Sequence, residues 1–270
     1  MALTAIDFDK LIIDKMLLAT ATSRSTGELF FMCDQIKSGN IENSGEKSFI
    51  TGVGGTPLSA LNRNKNVKVS WENAYVIASG IAAQTGSDIM VASAGSKLTV
   101  PNTEIITVTS ATSVVLAQIP VGVTGSEVKY IYKANPDGTA GEKYVVAATA
   151  SATAFKIDAA TKTITLPTSK FNVGDRVIVT YNYETAIGKK ISNKGNTFAK
   201  DCKLVVDVLC RHICDTNIQL VTKFVFPYLS IDNNFTISVQ DEPQAHNFGG
   251  DAMQDPCSAD KTFWDWYIVE

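Results

Sequence analysis

Residues 203–222 constrain this fold more than any other stretch. Read with period two, Leu204, Val206, Val208, Cys210, His212 and Cys214 fall on one face, and Val205, Asp207, Leu209, Arg211 and Ile213 on the other. Both faces are substantially apolar, so such a strand has to be covered on both sides, by its own domain or by a neighbouring copy. Strand-like runs at 224–229 and 235–239 follow, and the chain then closes on Phe263, Trp264, Trp266 and Tyr267. An apolar end on a strand-rich chain that holds only two histidines points to assembly before it points to chemistry.

The 270 residues are 45% hydrophobic, ample for one large β domain or two smaller ones without disulfides. Charged residues make up 19%, below the usual quarter or so, which leaves little surface built for bulk water. The 24 basic and 27 acidic side chains give a net charge of −3, against the basic stripe of a sequence-independent nucleic-acid binder. Asp7 and Asp9 stand where a secretory leader carries positive charge, and no run reaches the roughly 18 apolar residues of a membrane span. We therefore expect a soluble protein of a cytoplasm, with no membrane partner. Five cysteines, at 33, 202, 210, 214 and 257, suit a reducing compartment better than a disulfide framework.

Along the chain, residues 6–20 satisfy neither helical nor strand period and read as an amphipathic helix or an extended arm. Residues 27–35 are strand-like. Residues 37–47 (KSGNIENSGEK), the glycine-rich 51–56 (TGVGGT) and the basic 63–66 read as long exposed loops before a strand that starts at Val67. Residues 72–84 switch to helical spacing through Tyr75, Ile77, Ala78, Ile81 and Ala82, with Ser70 or Asn73 as a start cap and Gly86 as the stop. Residues 89–183 change character to Thr, Val, Ala and Ser, with strands at 104–109, 114–119, 128–133, 154–157 and 176–183 separated by turn chemistry at 136–138, 158–162 and 172–175. The expected organisation is a core built from 1–88 and 184–270 with a β-rich, immunoglobulin-like insert at 89–183, either a separate module or a continuation of the main sheet.

Little in the chain carries chemistry. Cys210, His212 and Cys214 share a strand face, but same-face neighbours stand roughly 7 Å apart, too far for three ligands on one zinc ion. A buried cysteine is more simply a small hydrophobe. No third group orients a Cys–His pair, and His246 near Asp251 is equally isolated. Gly52, Gly54 and Gly55 lack both the lysine of a phosphate loop and GxGxxG spacing. Asp241, Glu242, Asp251, Asp255 and Asp260 lack the spacing of a calcium loop and read as a solvated surface. The expectation is no enzyme, no cofactor and no metal.

The order of these elements resembles the major tail protein of tailed bacteriophages, the subunit of the tail tube. The resemblance rests on an N-terminal arm, GELFFMCDQIKSGNIENSGE, GVGGTPLSALNRNKNVKVSW, the helix ENAYVIASGIAAQ, a β-rich insert, then TFAKDCKLVVDVLC, FVFPYLSIDNNFTISVQ and KTFWDWYIVE. It implies a mainly β fold, with a β-sandwich or barrel-like core and one flanking helix. It also implies hexameric rings that stack into a tube in the virion tail, through which DNA and the tape-measure protein pass. Disorder of the arm and of 38–66 in the free subunit, resolved on reaching the next ring, is expected. Gly39, Asn43, Gly54, Arg63 and Lys65 of that loop, with Trp264 and Trp266, are the candidate contacts between subunits. Competing readings are a capsid decoration or head-completion protein, a non-enzymatic β-sandwich binding module, and a thiol or metal enzyme on Cys210, His212 and Cys214.

Overall fold

The computed structural model describes residues 8–215, 217–237, 245–255 and 259–268. In chain order its elements are β1 (Leu11–Thr22), β2 (Leu29–Cys33), β3 (Ile36–Thr51), β4 (Pro57–Asn73), α1 (Ala78–Thr85), β5 (Met90–Val91), β6 (Leu98–Thr107), β7 (Ser113–Val115), β8 (Pro120–Val121) and β9 (Tyr130–Ala134). Then come β10 (Ala140–Val146), β11 (Ala154–Asp158), β12 (Thr163–Thr165), β13 (Arg176–Thr185), β14 (Lys189–Lys190), β15 (Asp201–His212), β16 (Gln219–Ile231), β17 (His246–Ala252) and β18 (Asp265–Tyr267). The chain divides into two compact units, Met1–Ile89 with Ile191–Glu270, and Met90–Lys190.

The first unit is an antiparallel sheet in the order β2-β1-β15-β16-β17-β4-β3, with β18 added on β16. Its two outermost strands, β2 and β3, are joined by residues 34–35 alone. Three Cα steps span at most about 11 Å, whereas seven strands laid flat are about 29 Å across, so the sheet has to curl until its edges meet. Inside the curl lie Ala19, Ala21, Phe31, Cys33, Val67, Val69, Trp71, Leu204, Val206, Val208, Cys210, Phe226 and Phe248. An aromatic stack seals the closed end. Phe31 of β2 faces Phe248 of β17 at 5.0 Å between ring centres, and Phe248 lies nearly parallel to Trp71 of β4 at 5.4 Å. Each such offset contact is worth about 1 kcal/mol beyond its burial.

The alternation read in 203–222 holds through His212: Cys202, Leu204, Val206, Val208 and Cys210 are buried, while Val205, Asp207, Leu209 and Arg211 are half-buried on the other face. It does not continue to Cys214, because β15 ends at His212 and the chain turns into β16. Residues 235–237 are not strand, and 238–239 lie outside the described residues. Within β16, three residues advance against two of β15 beside Pro227, a bulge that suits a residue without an N–H.

The helix is shorter than its sequence pattern. Residues 71–73 remain in β4, paired with His246 to Phe248, so tertiary pairing overrides the helical spacing there. The expected start caps, Ser70 and Asn73, therefore do not cap α1, and Ile77, at the N-cap, has no side-chain bond of its own to offer. Its N–H instead points at His246 Nδ1, 3.5 Å away. Gly86 ends the helix in the left-handed conformation, as expected. A Cβ on Gly80 would stand 2.5 Å from Phe248, so this glycine allows α1 to lie directly on β17.

The second unit is built on an eight-stranded sheet, in the order β6-β13-β9-β10-β11-β12-β7 with β8 on β13, and β5 and β14 pair separately at its two chain ends. Its outermost strands, β6 and β7, are again consecutive in the chain. The linking residues are tied to both sides of the seam: Val108 N donates to Asp175 O at 2.7 Å, and Leu166 N donates to Thr112 O at 2.9 Å. The core here is Val114, Leu116, Val128, Ile131, Tyr144, Phe155, Ile164, Phe171, Val177, Val179 and Tyr181. Inside the seam, Glu104 accepts from the Tyr181 hydroxyl, from Asn102 Nδ2 at 2.8 Å and from Ala117 N at 3.1 Å. With strand over 55% of the chain and helix over 4%, the fold is mainly β, barrel-like, with one helix, as the sequence led us to expect.

Candidate assembly surface

The stretches at 37–47 and 51–66, expected as loops, form the longest hairpin in the molecule. β3 and β4 pair continuously from Ile36↔Asn73 to Thr51↔Pro57. The glycine-rich run is its apex: Gly52 N donates to Thr56 O at 2.8 Å, and Gly54 and Gly55 take φ of +84° and +78°, a region open to glycine at no cost. The base, with Val67, Val69 and Trp71 buried, belongs to the core. Beyond Ser44↔Asn66 every residue is exposed except Gly52, which is half-buried at the apex.

This outer ribbon nonetheless carries exposed hydrophobes. Phe49 is 59% exposed, Leu58 71%, and Val53 fully so, with Ile50 and Leu61 beside them. An isolated two-stranded ribbon is marginal in water at best, and clustered exposed hydrophobes mark interaction surfaces. At the root of the ribbon Lys65 Nζ lies 5.4 Å over the Phe263 ring, and Asn64 Nδ2 donates to Glu46 Oε2 at 2.7 Å. β18 lies along β16, where Trp266 stacks on Phe224 at 5.2 Å and Trp264 meets the same ring edge-on at 5.5 Å.

The candidate contact residues fall into three places. Gly39, Asn43 and Trp264 line one cavity of about 590 Å³, together with Ile13, Met16, Ile41, Val208 and Phe224. Gly54 and Arg63 sit out on the ribbon, Lys65 at its root, and Trp266 on the C-terminal strand. Phe49, Ile50, Val53, Leu58, Leu61, Ile13 and Met16 went unnoticed in the sequence, although five apolar side chains among the glycines and polar residues of 49–61 were a usable signal.

Residues 11–265 match the YomU/Tube protein family. The chain belongs to that family. No curated protein matches it. The family is one of tail tube structural proteins of phages, and membership agrees with the resemblance drawn from the order of elements.

Within this structural family the chemical candidates fall into ordinary places. Cys210 is buried with its sulfur 3.4 Å from Thr222 Oγ1, while Cys214 is exposed in the turn, its N–H donating to His212 Nδ1 at 3.2 Å. These three residues do not share a strand face. Burial pushes the Cys202 thiol up to about 12, and pushes Cys33 up to about 11 against the opposing indole N–H of Trp71; thiols so shifted are poor nucleophiles. His246 is buried, its Nε2 2.9 Å from Gln84 Oε1, and burial lowers its pKa. With Nδ1 accepting from Ile77, the neutral Nε2–H form clamps α1 onto β17. Among the described residues no three His, Cys, Asp or Glu side chains are grouped to hold a metal ion. Asp241, Glu242 and Cys257 lie outside the described residues.

Proposed function

We propose that this subunit assembles with copies of itself into rings that stack as the tail tube of a virion, with DNA and a tape-measure protein passing through the lumen. The observation that supports this is the ribbon at 44–66, a coreless hairpin of 23 residues, its strands paired up to an apex at 52–56, that carries five exposed hydrophobes. A monomer has no use for such a surface, and a polymer of identical subunits covers it. Six-fold rings follow from the family resemblance. Where carboxylates outnumber basic groups on the lumen wall, phosphate is repelled and the duplex slides rather than binding. The subunit is made in the host cytoplasm and carries no catalytic activity.

Negative-stain electron microscopy of the untagged protein, dilute and concentrated, tests this. Rings or hollow tubes are expected, and a variant with Phe49→Ser and Leu58→Ser is expected to stay monomeric. A wild-type protein that remains a compact monomer at every concentration contradicts the reading and favours a decoration or binding protein.

A further inference from the structure

The 590 Å³ cavity of the first unit is a slot between residues 13–16 of β1 and 36–43 of β3. β2 covers β1 only from Ala19 onward, and β3 carries β4 on one edge and, among the described residues, no strand on the other. β1 and β3 approach within 8 Å between Cα atoms, less than the roughly 9.6 Å that a strand laid between them would need at about 4.8 Å a side. The slot therefore takes no further strand, and its volume falls within the about 300–1,000 Å³ of sites for small molecules. Its floor is apolar: Val208 and Phe224 belong to the core, and Trp264 packs edge-on against Phe224. Met16 stands in the gap with its sulfur against Gly39, where a Cβ would collide with it. An unbranched thioether is the side chain that moves aside most cheaply.

The lining holds three charged residues, Asp14, Lys15 and Lys37. Asp14 is already engaged, accepting from Arg211 Nε at 2.8 Å. Lys15 and Lys37 are exposed, and neither has a carboxylate partner among the described residues. An apolar floor beneath two unpaired ammonium groups selects a molecule with an apolar tail and an anionic head: the tail leaves water, and the head stays at the wet rim opposite the lysines. We propose that the slot binds a free medium-chain fatty acid, its methylenes over Val208, Phe224 and Trp264 and its carboxylate between Lys15 and Lys37. The same two lysines disfavour a cation with an identical tail. Bound there, the ligand bridges β1 and β3 where no ladder joins them, and so stabilises the folded tube unit by mass action. This site is separate from the ribbon, and its occupancy does not depend on self-assembly.

The test is calorimetric titration of the full chain carrying Phe49→Ser and Leu58→Ser, so that binding is read without tube formation. Sodium decanoate is expected to bind at one equivalent and decyltrimethylammonium far more weakly. From hexanoate to octanoate to decanoate, affinity should rise about fourfold per methylene. Lys15→Glu with Lys37→Glu, both at exposed positions, should weaken decanoate by about fivefold or more and strengthen decyltrimethylammonium. To locate the site, decanoate brominated at its tail end should quench tryptophan emission, and Trp264→Phe should remove most of that quenching. No saturable binding of decanoate overturns the proposal, as does equal binding of the anion and the cation or indifference to the double lysine substitution. Quenching that persists in Trp264→Phe overturns the location. Sedimentation of the protein with phosphatidylglycerol vesicles would overturn the free acid in favour of a membrane surface.

Discussion

The two units solve the same problem and stop at different points. Each is built on one large sheet whose outermost strands are joined by a short link, 34–35 in one and 108–112 in the other, so each has to curl. The insert finishes the job: its linker is hydrogen-bonded to both sides of the seam, and Glu104, Tyr181 and Asn102 fill the gap with satisfied polar groups. The tube unit closes only beneath its aromatic stack, leaving a slot on one side and sending β3 and β4 past its core as an apolar ribbon. The insert ties its seam shut within its own chain, and the other sheet, among the described residues, leaves one edge of 11–18 and one edge of β3 without a strand.

Substitutions should separate these two kinds of closure. Trp71→Ala removes the middle of the aromatic stack and should cost about 3–5 kcal/mol; in calorimetry one of two transitions should fall while the insert's stays in place. Glu104→Ala strips partners from Tyr181 and Ala117 and should cost about 1–3 kcal/mol, this time lowering the insert's transition alone. A coupled drop of both transitions in either variant would show that the units do not close independently. Protonation gives a smaller effect. His246 has a folded pKa below its ordinary 6.5, so its contribution is full above that value and is lost as pH falls through it toward the lowered one. The tube unit's melting midpoint should therefore fall as pH drops below the ordinary 6.5 toward the lowered value, and His246→Gln should flatten that slope. Smallest of all, Phe49→Ser with Leu58→Ser should change monomer stability by no more than about 0.5 kcal/mol, although it should abolish assembly.

How much of this was readable depended on whether a core stamped its period onto the chain. β15 has a buried face, and Leu204, Val206, Val208 and Cys210 announced it; β6 and β13, β9 and β11 were visible for the same reason, with Asp137, Gly138, Asp158 and Gly174 marking the turns between strands or leading into them. The ribbon was invisible as strand because neither of its faces is buried in the subunit. Nothing selects alternation there, and Gly45, Asn62, Asn64 and Asn66 are poor strand formers. The start of α1 was misplaced because Trp71 and Asn73 answer to β17, a partner 177 residues further on for Trp71↔Phe248 and 173 for Asn73↔His246. The slot could not be read at all, since it is made by four strands and a C-terminal tryptophan that meet only in the fold.

The central claim is that the ribbon is surface held in reserve for another copy. Hydrogen–deuterium exchange of the free subunit and of the assembled protein tests it most directly. In the free subunit the amides of 46–63 should exchange far faster than those of β15, and on assembly they should become protected. Protection appearing elsewhere while 46–63 exchanges as fast as in the free subunit would contradict the account.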